Sequence, residues 1–357
     1  MIYFEKIVKK GMIAEMNGES FKQNFKKVYR DNEVPIYIFK AAHGFSMMGV
    51  TGINKCMLGM GIAPNTYVGI RICEDDMFYI RFSDSEMQYE CKKDNLAGYN
   101  GEENIKQLFN ALSGICGNIP GAQIYFHCDC AEKEFCEYLQ ALVYGFCMLT
   151  GTAYDMENKY DDFSENARKK ITVSAGENRC EMIENDKITF FSLPLKGCKI
   201  IIGKTGGKPF KPINFEETVN RLGIDNYENI SDEESAMYKA SEGYEILDYA
   251  INEKKRIFKA AEALASGDFS MFSRIIKRSA SEYLDIIKKS GGNLRTLYDI
   301  ASSASIICGI YENSGIYSLV EDYRVDKFIK NIGDAYEHKI GKRPNFYVCA
   351  SSATCKV

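Results

Sequence analysis

The chain has 357 residues, more than one hydrophobic core usually serves, so its length predicts two domains. Apolar residues make up 45% of the chain and charged residues 26%, a composition that excludes intrinsic disorder. The 45 basic and 49 acidic side chains nearly cancel, to a formal net charge of −4. No broad basic field therefore exists to attract nucleic acid or a membrane surface, and we expect neither as a partner.

The cysteines and the first residues both indicate a reducing compartment. There are 13 cysteines, an odd number, and the opening residues contain no apolar core followed by a small-residue cleavage site. The longest apolar stretch, residues 135–151, contains Glu137 and Gln140 and is too short to span a bilayer. We therefore expect a cytoplasmic protein.

The first half of the chain alternates predicted helices and strands. Residues 19–32 (ESFKQNFKKVYRDN) have the apolar spacing of an amphipathic helix that ends before Pro35. β-Branched and aromatic residues then predict a strand at 34–42 and two or three strands within 66–91, with a turn at 74–76. The remaining predicted elements are a helix at 104–115, a strand at 122–128 and a buried helix at 133–150.

The second half follows a polar stretch at 155–179, near whose end we place the domain boundary. The predicted domains are 1–178 and 179–357. Strands are predicted at 186–195, 198–203, 305–312, 317–321 and 345–351, and helices at 235–266, 269–289 and 325–340. The predicted fold class is α+β.

Several segments resemble galactokinases, members of the GHMP kinase superfamily. Residues 251–283 contain an asparagine and glutamate that open a helix, and an A-E-A-L-x-x-G-D run before the next helix. Residues 323–351 are similar to the family's closing helix and strand, and residues 36–50 with 59–76 to its first strand, loop and return strand. The resemblance implies two α+β domains with an active site in the cleft between them. It also implies transfer of the ATP γ-phosphate to a sugar hydroxyl.

The family's first motif, Gly-Arg-x-Asn-φ-Ile-Gly-Glu-His-x-Asp-Tyr, contacts the sugar and the transferred phosphate. By resemblance, the remnant sugar-pocket positions of this chain are His43, Gly44, Ser46, Gly49 and Thr51. Only Gly49 retains the family residue. Because a sugar site depends on buried polar groups that pair with the ligand, the substitutions predict the loss of galactose specificity.

The family's phosphate loop, Pro-x-Gly-x-Gly-Leu-Ser-Ser-Ser, corresponds here to residues 127–135 (HCDCAEKEF). Its remnant positions are Asp129, Cys130 and Lys133. Side chains at former glycines block close backbone approach, and acidic residues place negative charge where a triphosphate would lie. Mg-ATP is thus implied by family resemblance only, and the acidic residues are more simply interpreted as favouring the N-terminus of a helix.

Other motifs give weak signals. The third family motif retains only Gly309 and Gly315, and Asp161 and Asp162 are interpreted as surface charges, so no catalytic residue is assigned. His127, Cys128, Cys130 and Cys136 lack the paired spacing of structural zinc, and no metal is predicted. Residues 203–208 (GKTGGK) lack the P-loop spacing and are interpreted as a loop.

The sequence therefore favours a galactokinase-like protein that has lost phosphoryl transfer and acts as a binding or regulatory protein, with a small-molecule ligand or a protein partner. The alternative is an active small-molecule kinase whose site is rebuilt around Lys133, Lys204 or Lys208. A structural protein without a small ligand remains a third interpretation.

Overall fold

A computed structural model describes residues 17–30, 33–49, 56–129, 135–152, 170–172, 174–185, 187–206, 215–224, 230–287, 292–311 and 315–357. These residues form helices and two β-sheets, which confirms the predicted mixture of helices and strands. Within these ranges no helix is both long enough and apolar enough to cross a membrane.

The first sheet has eight strands. Its main path runs β12-β1-β2-β5-β3-β4, and a hairpin of β6 and β7 pairs with the start of β2. Only β3 and β5 are parallel neighbours; every other pair is antiparallel. The strands are β1 (Tyr37–Met48), β2 (Cys56–Cys73), β3 (Met77–Phe82), β4 (Gln88–Lys92), β5 (Gly121–Cys128), β6 (Arg179–Glu184), β7 (Lys187–Ser192) and β12 (Cys355–Lys356).

Helices pack on this sheet through the predicted apolar positions. Helix α1 (Gly18–Tyr29) buries Phe21 and Phe25 completely, and Gly69 of β2 makes room for both rings. Helices α2 (Glu103–Ile115) and α3 (Phe135–Thr150) contribute to a second apolar cluster with β1, β2, β3 and β5. Burial of these apolar faces stabilises the packing of the helices on the sheet.

The second sheet has four antiparallel strands in the order β11-β8-β10-β9. They are β8 (Cys198–Lys204), β9 (Ile307–Tyr311), β10 (Gly315–Glu321) and β11 (Asn345–Cys349). The helices of this half are α4 (Phe215–Leu222), α5 (Asp232–Ala236), α6 (Tyr244–Ala265), α7 (Phe269–Ile286), α8 (Gly292–Ser302) and α9 (Val325–Ile340).

The two sheets share one apolar cluster. Phe45 and Met60 of the first sheet belong to the same buried group as Ile257 of α6 and Leu319 of β10. The hairpin at 179–192 pairs with the first sheet although it follows the expected boundary at residue 178, and that boundary stays a prediction. The end of β1 therefore lies against elements of both halves.

The structure differs from the sequence-based expectation at several places. The single helix predicted over 235–266 is divided, because α5 ends at Ala236, residues 237–243 form turns, and α6 begins only after Gly243, whose φ of 93° is not helical. Strands β6 and β12 and helices α4 and α8 were not predicted. In β6 the buried side chain of Glu181 interrupts the apolar pattern that would have indicated a strand.

Candidate functional site

His43 lies at an irregularity in the β1–β2 pairing, where the register shifts between Ala42 and His43. Its imidazole connects three elements. Nδ1 forms a hydrogen bond with Oε1 of Glu137 in the first turn of α3, and Nε2 lies 3.2 Å from the hydroxyl of Tyr311 at the end of β9. The His43 side chain is 12% exposed and that of Glu137 is 8% exposed. The partly buried side chain of His43 thus connects the first sheet, α3 and the second sheet.

Glu137 accepts hydrogen bonds from two side chains. An ionised carboxylate can only accept, so His43 donates from Nδ1, and the other ring nitrogen, Nε2, shares a second hydrogen bond with the Tyr311 hydroxyl. The hydroxyl of Thr66 donates to Oε2 of Glu137 over 3.3 Å, and the thiol of Cys128 lies 4.0 Å from the same oxygen. The result is a continuous chain of hydrogen bonds from Tyr311 through His43 to Glu137. We call this chain the His43 network.

The other described remnant positions, Gly44, Ser46 and Gly49, have local structural contacts. Gly44 donates its N–H to the hydroxyl of Thr172 over 3.1 Å, and Ser46 donates its hydroxyl to the carbonyl of Met48 over 2.8 Å. Gly49 has a φ of 78°, and a Cβ atom there would lie 2.5 Å from the carbonyl oxygen of Cys56. Gly49 is therefore required by local geometry. Thr51 lies outside the described residues.

Asp129 follows β5 at the start of the former phosphate loop. Its side chain is 5% exposed, and Oδ1 lies 3.3 Å from Nε2 of His127. Its Oδ2 atom is buried and has no hydrogen-bond partner among the described residues, whereas its N–H donates to the carbonyl of Asn65 over 3.1 Å. A buried carboxylate at this point repels an anionic group. Cys130 and Lys133 lie outside the described residues.

Lys204 is the one rebuilt-site candidate among the described residues. Its ammonium lies 5.7 Å from the ring centroid of Tyr311 and 5.7 Å from that of Tyr347. It therefore stands next to the His43 network, with both contacts in the range of cation–π interactions. Lys208, Asp161 and Asp162 lie outside the described residues.

The two glycines retained from the third motif allow neighbouring atoms to approach the backbone closely. A Cβ atom at Gly309 would lie 2.3 Å from the Tyr317 ring, and one at Gly315 would lie 2.7 Å from the carbonyl oxygen of Gly203. No group of three or more metal-ligating side chains forms among the residues that the structure describes. Cys130, part of the C-x-C pair, lies outside these residues.

Glu137 and Tyr311 were not identified as site residues from the sequence. They lie 94 and 268 positions from His43, so no local motif connects them. One signal was present, because Glu137 is an ionisable residue within an otherwise apolar helix, and such a residue is almost never fully buried unless it is paired.

The fold matches known structures over nearly the whole chain, although no family model matches the sequence. Lactococcus lactis galactokinase, solved in complex with galactose, superposes with a TM-score of 0.74 at 16% identity, covering 95% of this chain and 99% of that one. The mevalonate kinase of Methanococcus jannaschii superposes with a TM-score of 0.57 at 13% identity, covering 90% and 99%. The protein has the α+β fold of the GHMP kinases.

Comparison with curated protein sequences finds galactokinases among the relatives of this chain. The galactokinase of Halalkalibacterium halodurans is 21% identical over 368 residues, covering 89% of this chain and 92% of the relative. The galactokinase of Clostridium acetobutylicum is 22% identical over 392 residues, covering 94% and 97%. The chain is galactokinase-like, because it is similar to these two galactokinases over nearly its whole length.

Proposed function

We propose that this galactokinase-like protein no longer transfers phosphate and acts in the cytoplasm as a small-molecule-binding or regulatory protein. The observation that carries the proposal is the buried Glu137 carboxylate in the first turn of α3, bonded to His43 and Thr66. If the nucleotide phosphates lay at this helix end, as the family resemblance implies, they would meet a carboxylate of the protein itself.

The described residues at this helix end do not fit the phosphates of Mg-ATP. A helix N-terminus binds phosphate through free N–H groups and its dipole, and a carboxylate in the first turn already satisfies that field. The buried Asp129 adds a second negative group at the same end of β5. A triphosphate brought here would face two carboxylates in a region of low dielectric.

The remnant sugar-pocket positions support the same proposal. Where the family motif has an arginine near the transferred phosphate, this chain has Gly44, whose N–H is bonded to Thr172. His43 replaces the preceding glycine and directs its imidazole to Glu137 and Tyr311. Loss of a single preorganised donor to a transition state reduces rates by about a hundredfold to a thousandfold, and several such donors are replaced together.

The test is a comparison of binding and turnover in the purified full-length chain. Thermal shifts with Mg-ATP, Mg-ADP and galactose report binding to the folded state, and a coupled ADP-release assay reports phosphoryl transfer. The galactokinase of Lactococcus lactis serves as the active control. We expect no nucleotide-induced shift at millimolar concentration and no ADP release above background. Sugar-dependent ADP release above background from the unmodified chain would contradict the proposal.

The second candidate function is a small-molecule kinase with a rebuilt site, and one observation favours it. Lys204 reaches the His43 network and supplies a positive charge beside Tyr311. If Lys204 bound the nucleotide phosphates in place of the glycine-rich loop, Lys204→Met would abolish nucleotide binding and turnover. Lys199→Met, a change on the same strand at the opposite end, is the matched control and would leave both unaffected.

A further inference from the structure

Three polar side chains, those of Ser83, His127 and Asp129, lie at the ends of β3 and β5. These two strands are parallel, and their pairing ends at Phe82 and Phe126, whose ring centroids are 5.3 Å apart. Ser83 follows Phe82 directly, and its N–H donates to the carbonyl of Phe126 over 2.8 Å. The backbone therefore holds Ser83 beside His127, the next residue of β5.

His127 connects the other two side chains. Its Nδ1 lies 3.0 Å from the hydroxyl oxygen of Ser83, and its Nε2 lies 3.3 Å from Oδ1 of Asp129. An ionised carboxylate can only accept, so Nε2 carries the hydrogen, and in the neutral imidazole Nδ1 then accepts the hydrogen bond of the Ser83 hydroxyl. The hydroxyl therefore donates to a base that a carboxylate orients, which is the arrangement of an activated serine.

The exposure of the three groups fits a reaction at the serine. Ser83 is exposed, the His127 side chain is 23% exposed and that of Asp129 is 5% exposed. Oδ2 of Asp129 is buried and has no hydrogen-bond partner among the described residues, which leaves this carboxylate paired with the imidazole at Oδ1. Such a carboxylate stabilises the imidazolium that forms when the serine gives up its proton.

We propose that Ser83, His127 and Asp129 form a nucleophilic site that hydrolyses carboxylic esters with good leaving groups. Ser83 and His127 are the catalytic residues, and Asp129 is a positioning residue. Because Ser83 is exposed, water solvates the oxyanion of the tetrahedral intermediate, which limits the site to activated esters. This activity goes beyond the proposed binding function and does not depend on it.

The hydrolysis has two steps. Oγ of Ser83 bonds to the acyl carbon while its proton moves to Nδ1 of His127, and the bond to the leaving oxygen then breaks as Nδ1 returns the proton to that oxygen. A water molecule next attacks the acyl carbon and gives a proton to Nδ1; the bond from this carbon to Oγ breaks, and Oγ regains the proton. The net change converts ester and water to carboxylic acid and alcohol, without oxidation or reduction.

The first experiment is covalent labelling of the full-length protein with a fluorophosphonate. Oγ of an activated serine displaces fluoride from the phosphorus, and the serine proton passes to the base. Trypsin cleavage after Arg81 and Lys92 releases residues 82–92 (FSDSEMQYECK), in which fragment masses distinguish Ser83 from Ser85. We expect at least tenfold more label on Ser83 than on Ser113, an exposed serine of α2. Equal labelling of these two serines, or none on Ser83, would overturn the proposal.

The second experiment follows p-nitrophenolate release from p-nitrophenyl acetate. Accessible thiols are alkylated first, because the chain has free cysteines and thiolates also attack this ester. Ser83→Ala removes the nucleophile and His127→Gln removes the base, and each should lower the rate at least tenfold. The matched control Ser113→Ala should leave the rate unchanged. Circular dichroism checks that each variant is folded, and a rate that Ser83→Ala does not lower would overturn the proposal.

The pH dependence of the rate tests His127 and Asp129 in a way that a purely structural role would not affect. Between pH 5 and 8 the rate should rise as the imidazole loses its proton, and His127→Gln should remove this rise. Asp129→Asn should move the rise to lower pH, because the imidazolium loses the carboxylate that stabilises it. A profile unchanged in both variants would overturn the assigned roles. ADP release is measured separately, so loss of phosphoryl transfer and ester hydrolysis can fail independently.

Discussion

Replacement of His43 by alanine tests the His43 network directly. The substitution leaves the Glu137 carboxylate, 8% exposed, without its imidazole donor, and Tyr311 loses an acceptor. A hydrogen bond to a charged group contributes roughly 2 kcal/mol and one between neutral groups about 1 kcal/mol, so the free energy of unfolding should fall by about 3 kcal/mol. Because the chain has no tryptophan, urea unfolding is best followed by far-ultraviolet circular dichroism.

Two comparisons make this prediction specific. His338→Ala, at the exposed end of α9, should change the free energy of unfolding by no more than about 0.5 kcal/mol. The double variant His43→Ala, Glu137→Ala should lose less than the sum of the single losses, by about 1 kcal/mol or more, because the buried charge is removed together with its partner. A His43→Ala loss as small as that of His338→Ala would refute the reasoning.

Three further predictions concern stability. Burial raises the pKa of Glu181 from 4.5 to about 7, so this carboxyl ionises at lower pH in the unfolded chain, and the free energy of unfolding falls as pH rises between these values. Glu181→Gln should remove this pH dependence and raise the free energy of unfolding by roughly 2 kcal/mol at pH 8. An equal pH dependence of both proteins in urea unfolding would contradict this prediction. Gly61→Ala should destabilise the protein by about 2 kcal/mol in thermal melts, because the new Cβ atom would lie 2.4 Å from that of Ala175. The control Gly114→Ala, in open space on α2, should be neutral or stabilising by about 0.5 kcal/mol. Similar melting temperatures of the two variants would contradict the packing argument. Arg71→Lys should lower the free energy of unfolding in urea by about 2 kcal/mol, because one ammonium group cannot replace the guanidinium hydrogen bonds to Gln123 and to two backbone carbonyls at the end of α1. A loss below about 0.5 kcal/mol would show that these hydrogen bonds contribute little to stability.

Elements with a strong apolar period could be predicted from the sequence. The spacing of Phe21 and Phe25 identified α1, and the prediction of α9 at 325–340 agrees with the structure at both ends. The prediction failed where the local sequence interrupts the regular spacing of apolar residues. The helical pattern is interrupted by the turns that end at Gly243, which has a positive φ. In β6, Glu181 places an ionisable side chain among buried residues, where it is bonded to Ser174 and Arg179.

The candidate site was predictable only in part. His43 was identified by its position after a predicted strand, but its partners come from α3 and β9. A hydrogen bond between residues 268 positions apart depends on how the second sheet docks against the first, which no local pattern encodes.

The pairing of β12 with β1 affects the order in which the chain can fold during synthesis. Lys356 and Cys355 pair with Phe39 and Lys40, and the N–H of Ala42 donates to the hydroxyl of Thr354 over 3.0 Å. The edge of the first sheet therefore stays open until residues more than 300 positions later have left the ribosome. Since an unpaired edge of this kind invites pairing with another chain, we expect β1 to need protection by chaperones in nascent chains.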